Sequence, residues 1–185
     1  RWAIQAGRID EVFAEILQNM INNPAIPTSN HEHIQENLND EMGNGDELKV
    51  HFTLFRNLLS ALKIGDEEYE NTPMNPGTQK IIDSLRDASL DQNNSLRILS
   101  LMSSEELICP HEFPILLAEL RKYVDPKDLI YFDVHIEADV KHADDLIKLC
   151  YETITRTRQK ISAVFDYQEE DLNNNCEFYD DLIKT

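Results

Sequence analysis

Apolar side chains recur at helical spacing along almost the whole chain, and no alternating strand pattern persists. That restricts the fold to packed helices. Val12, Phe13, Ile16, Leu17, Met20 and Ile21 mark a first helix, about Asp10 to Asn22, which Asn23-Pro24 and Pro27 close. A second runs from about Ser29 to Met42 and is broken by the turn Gly43-Asn44-Gly45-Asp46. A third, about Glu47 to Lys63, carries Phe52, Phe55, Leu58, Leu59 and Leu62 on one side. The stretch Gly65–Gly77 reads as a loop, and a fourth helix follows from about Thr78 to Ser89. A fifth starts near Asn94 and is expected to bend or stop at Cys109-Pro110, because proline lacks the N–H that a helix interior needs. A sixth covers about Glu112 to Tyr123, and a last long helix runs from about Lys127 through Asp166. An acidic tail holds a short closing helix at about Glu177–Ile183. The expected architecture is an all-α bundle of about seven helices: one domain over residues 1–168, then a tail at residues 169–185.

Seventeen basic residues stand against thirty-five acidic ones, a net charge of −18. Such a surface repels a phosphate backbone and an anionic lipid face, so nucleic-acid and membrane partners are not expected. No apolar run has the length of a membrane span. Cys109, Cys150 and Cys176 form no CxxC pair. An odd, unpaired set fits a reducing, cytoplasmic setting and no zinc–cysteine framework. Dimers are the commonest assembly, and a homodimer is the default expectation.

Within the last long helix lies His135-x3-Asp139-x2-His142. At about 100° per residue, positions i, i+4 and i+7 fall within roughly 60° of one another. One stripe therefore carries two imidazoles and a carboxylate, side chains that bind iron, manganese or zinc. In a bundle, the remaining ligands of such a centre come from facing helices. Candidates are acids or histidines set in an apolar face, where a charge is costly unless paired or metal-bound. Glu15 lies among Val12, Phe13, Ile16 and Leu17, although it also fits the polar side of that helix. His51 is flanked by Val50 and Phe52, and Glu41 ends the preceding helix across the glycine turn. Glu106 lies on the stripe of Leu99 and Met102, with Glu105 as its rival. Glu137, Asp144 and Asp145 read as solvated.

Four segments carry a resemblance to the heme-oxygenase-like diiron oxidases, also described as iron-containing redox enzymes. They are the helix around Glu15, the stretch Glu36–Asp46 with His51-Phe52-Thr53-Leu54-Phe55, Ser104–Pro110, and Tyr131–His142. Relatives in that family include the chlamydial protein associating with death domains and the N-oxygenase domain of the streptozotocin pathway. The resemblance implies a heme-oxygenase-like bundle whose long C-terminal helix bears ligands to two non-heme irons. Glu15, His51, Glu106, His135, Asp139 and His142 would hold the metals, and Glu41 would be a seventh, mobile carboxylate. It further implies O₂ as co-substrate, an external reductant, and a small amine, amino acid or fatty acid as the molecule oxidised in specialised metabolism. A manganese–iron or zinc version of the site, and a non-enzymatic acidic interaction module, are the competing readings. The family's aromatic-rich first helix is replaced here by Gln18-Asn19-Met20-Ile21-Asn22, so no substrate subgroup is assigned.

Overall fold

A computed structural model describes residues 1–184. The all-α bundle expected from the periodicity is what forms. Its helices are α1 (Trp2–Asn22), α2 (His31–Glu41), α3 (His51–Ala61), α4 (Asp66–Asn71), α5 (Pro76–Leu90), α6 (Ser95–Leu120), α7 (Ile130–Thr157) and α8 (Ser162–Lys184). Among the described residues no helix is long and apolar enough to cross a membrane.

Several helix boundaries differ from the sequence expectation. α1 already begins at Trp2, eight residues before the expected start near Asp10, and α3 begins at His51 after a short 3₁₀ turn at Glu47–Lys49. The fifth and sixth expected helices are one helix, α6, which runs through Pro110 and Pro114. Each proline removes one helical N–H and frees the carbonyl four residues earlier. Burial of α6 against α7 and α8 holds it helical regardless. The last long helix stops at Thr157, where Arg158 turns left-handed at φ 59°. Beyond it, α8 occupies Ser162–Lys184 in place of a short closing helix, and α7 is the penultimate helix instead of the C-terminal one. α8 is a full member of the bundle. Phe178 is buried, and a Cβ at Gly77 would meet the Phe178 Cα at 2.5 Å, so only glycine admits this approach of α5 to α8. Glu170 of α8 accepts from Arg97 of α6 at 2.5 Å and from Ser84 of α5 at 2.9 Å. α4 forms inside the stretch expected as loop, capped by burial of Tyr69.

Two apolar clusters fill the bundle. One joins Ile16, Leu17, Met20, Ile81, Leu85, Leu99, Leu146 and Leu149. The other joins Phe55, Leu58, Leu59, Tyr69, Phe113, Tyr131 and Phe132. Each large side chain so buried contributes about 1.5–3 kcal/mol. The buried stripe of α7 runs Tyr131, His135, Asp139, His142, Leu146, Leu149. Its ends belong to the two clusters, and its middle is polar. The histidines and the aspartate therefore occupy the seam between two cores.

Candidate metal centre

The glycine turn after α2 sets the first half of the site. Gly43 and Gly45 adopt φ of +71° and +87°, with Asn44 at 53° between them. Three left-handed residues in succession reverse the chain tightly. At Gly43 a Cβ would meet the Val50 nitrogen at 2.6 Å. The reversal brings Glu41 onto His51, whose Nδ1 donates to Oε1 at 2.9 Å. His135 approaches from α7, its ring centroid 4.3 Å from that of His51. The His135 Nδ1 donates to the Tyr131 carbonyl at 2.7 Å, which leaves the other ring nitrogen open.

The second half uses α6 and α7. His142 Nδ1 lies 3.5 Å from Glu106 Oε2 and 3.8 Å from Asp139 Oδ1. Outer contacts orient this group: Asn37 of α2 donates to Glu106 Oε1 at 2.6 Å, and His142 Nε2 donates to Asp40 at 3.0 Å. Glu41, His51 and His135 thus form one group, and Glu106, Asp139 and His142 another. In each, the donor atoms lie within 4.8 Å of one another. All six residues are buried, none more than 6% exposed.

Electrostatics in this seam are unbalanced. Among the described residues no lysine or arginine pairs with Glu41, Glu106 or Asp139. Burial, with Glu106 and Glu41 close by, pushes the Asp139 carboxyl up to about 10. Burial disfavours the His142 imidazolium, but Glu106 and Asp40 outweigh it and lift its pKa to about 9. Burial, with His51 and His142 adding repulsion, drops His135 to about 3. Asp139 Oδ1 and His142 Nδ1 are sealed from solvent without a hydrogen-bond partner. An orphaned buried polar atom costs about 1–3 kcal/mol. Three carboxylates and three imidazoles, buried together with no lysine or arginine among them, are a donor set that fits divalent metal ions.

Glu15 is not part of this assembly. Its side chain is half exposed and accepts two hydrogen bonds from Arg86, at 3.1 and 2.8 Å, on another face of α1. The α1 carboxylate at the site is Asp10, which the sequence reading missed. Its Oδ1 accepts from the Tyr131 hydroxyl at 2.9 Å, and its Oδ2 is buried without a partner. Burial and the nearby Glu41 raise its carboxyl to about 7. A signal existed: Asp10 shares a helical stripe with Trp2, Ala6, Ile9 and Phe13, which line the cavity at the site. Glu11, Glu15, Gln18 and Asn22 form the exposed stripe. Of the rival pair on α6, Glu106 joins the site, and Glu105 turns away to accept from Asn175 at 3.1 Å.

One further expectation changes. Asp145 is buried, not solvated; Lys141 and Lys148 reach it at 2.9 and 3.0 Å. It groups with His33 and Glu36, but those two are exposed and the lysines already supply the countercharge. Phe55, Met102 and Phe132 are core residues, and none of them lines the cavity at the site.

The sequence model of the iron-containing redox enzyme family matches residues 1–169, which covers every residue of both groups. No curated protein matches the chain.

Proposed function

The chain belongs to the iron-containing redox enzyme family, with its all-α heme-oxygenase-like fold, and on that premise we propose that it is a non-heme diiron oxidase or oxygenase. Glu41, His51 and His135 would hold one iron, with Asp10 as a further carboxylate within reach. Glu106, Asp139 and His142 would hold the other. The observation that carries this reading is the pair of buried three-residue groups set side by side, with orphaned donor atoms at Asp139 and His142. When bound, iron supplies the reduction of O₂ and the withdrawal of electrons from a small organic substrate.

The chain's own residues prepare the rest. Tyr131 and Asp40 fix the ring orientations of His135 and His142 through their hydrogen bonds. Asn37 holds one oxygen of Glu106 and leaves the other for the centre. The Glu41–His51 hydrogen bond uses His51 Nδ1 and Glu41 Oε1, so each side chain could serve as a ligand through its other nitrogen or oxygen. The glycine turn beside Glu41 allows that carboxylate to shift without disturbing α3. The apolar clusters on either side keep water from the seam.

Anaerobic loading with Fe(II), gel filtration and metal analysis test the reading. About two irons per chain are expected, falling to about one in His135→Ala. Wild-type protein that retains no iron, or takes zinc alone from a mixture, would sink it. Manganese in one position would turn it into the mixed-metal reading.

A further inference from the structure

We propose that the cavity beside the two groups selects a small substrate bearing an organic ammonium group, with Glu112 as the anchor of its charge. This rests on the oxidase reading above and narrows its substrate classes to an amine or amino acid, excluding the fatty acid.

The cavity has a volume of about 90 Å³ and is bounded by α1, α2, α6, α7 and α8. At about 10–15 Å³ per water, it has room for roughly six to nine waters, and so for a short molecule. Glu41, Glu106, His135 and Asp139 line it, so whatever occupies it meets the candidate centre. Asp139 is 1% exposed, and its orphaned Oδ1 marks where the polar lining lacks a partner.

Beyond those residues the lining holds three more carboxylates, Asp10, Glu105 and Glu112, and no lysine or arginine. Asp10 accepts from the Tyr131 hydroxyl at 2.9 Å and sits against Glu41, within the candidate centre itself. The other two differ. Glu105 is engaged from the α8 side by Asn175 and Asp171. Glu112 accepts from the Tyr179 hydroxyl and has the Trp2 indole beside it. Both are neutral donors, and Glu112 makes no ion pair among the described residues. Burial raises its carboxyl, because nothing cationic faces it. A substrate ammonium supplies the missing charge, as a charge-assisted hydrogen bond in a water-poor site. Trp2, Phe13, Phe113 and Phe178 also line the cavity, and their rings favour a cation over a carboxylate. A fatty acid would bring one more negative charge to a lining with no basic side chain.

Trp2 is the only tryptophan in the chain and lies in the cavity wall, so its fluorescence reports occupancy independently of turnover. Fe(II)-loaded protein, its iron content measured, is titrated anaerobically with n-butylamine, 1-butanol and butyrate. A saturable Trp2 response is expected for butylamine, at least tenfold tighter than for either other probe. In Glu112→Gln, butylamine should weaken to the level of 1-butanol, with 1-butanol binding and iron content unchanged. Butyrate binding as tightly as butylamine, no saturable amine response, or an amine preference that survives Glu112→Gln would each overturn the proposal. Should Glu112→Gln fail to fold, the comparison of the three probes on wild-type protein decides alone. Loss of the preference in protein carrying two irons defeats this inference and leaves the oxidase reading standing. An amine preference in protein that takes no iron does the reverse.

Discussion

The two three-residue groups of the seam contain the same kinds of side chain but differ in how their charge is settled. In the first, Glu41 and His51 satisfy each other at 2.9 Å, and His135 spends one nitrogen on a backbone carbonyl. In the second, Asp139 Oδ1 and His142 Nδ1 face one another across 3.8 Å with no hydrogen bond. The first is held by hydrogen bonds that use one nitrogen of each histidine and one oxygen of Glu41. The second is held open by contacts from outside, through Asn37 and Asp40. A carboxylate–imidazole pair can therefore be a resting structure or an unfilled site, depending on whether their polar atoms meet.

The strongest way to break this comparison is at Asp139. Asp139→Ala should reduce iron from about two to about one per chain, with affinity at the second group falling by more than ~100-fold; metal analysis reads this directly. Asn37→Ala removes only an outer contact and should weaken that group by about 10–100-fold, leaving the first iron in place. Equal loss from both groups would show that they do not act separately. Gly43→Ala attacks the first group instead. It forces a side chain into a left-handed turn against the Val50 backbone, with an expected loss of about 1–3 kcal/mol in thermal or denaturant unfolding and selective loss of the first iron.

Residues of the site should also respond to pH in opposite directions in metal-free protein, with His51, where burial opposes the charge but Glu41 raises the pKa, siding with His142. His142, raised to about 9 from 6.5, contributes stability that is complete below pH 6.5 and is lost as pH rises through about 9. Asp139, raised from 3.8 to about 10, contributes stability that is complete below pH 3.8 and declines from there to about pH 10, because folding keeps a proton that the unfolded chain releases, so it also opposes the acid-side gain from His135. His135, lowered to about 3, is neutral in the fold, so its contribution is lost as pH falls below 6.5 towards 3. Melting temperatures across pH 4–9 should show His142→Ala flattening the alkaline fall and His135→Ala the acid fall. The smallest effect is expected at Glu15. Glu15→Gln removes an exposed ion pair with Arg86 and should leave iron content unchanged and stability within about 1 kcal/mol.

Much of the candidate site could be read from spacing. His135, Asp139 and His142 share a stripe by helix geometry alone. His51 and Glu106 stood out because a charge or imidazole on an apolar face needs a partner. The α1 carboxylate was misread because Asp10 and Glu15 are five residues apart, about 140° around the helix. Both border apolar residues, and only the helix's rotation in the bundle selects one. Asn37 and Asp40 carried no sequence signal, since polar residues on α2 are ordinary on an exposed face.

The sequence by itself determined the all-helical class, the turn at Gly43–Gly45 and the shared stripe of His135, Asp139 and His142, because these follow from periodicities of a few residues and from backbone constraints. Tertiary structure decided which helices stayed whole, which α1 carboxylate faces the seam, and which carboxylates share a cavity with Trp2. Pro110 and Pro114 should interrupt α6 locally, yet burial along α7 and α8 outweighs the lost hydrogen bonds. Arg158 breaks the α7 helix where only periodicity was visible, and α8 then supplies Asn175, Phe178 and Tyr179 to the cavity. The hydrogen bonds of Asn175 to Glu105 and Tyr179 to Glu112 join residues 70 and 67 positions apart, and the physical reason they were hidden is that a helix's own pattern says which face is buried but not what it is buried against.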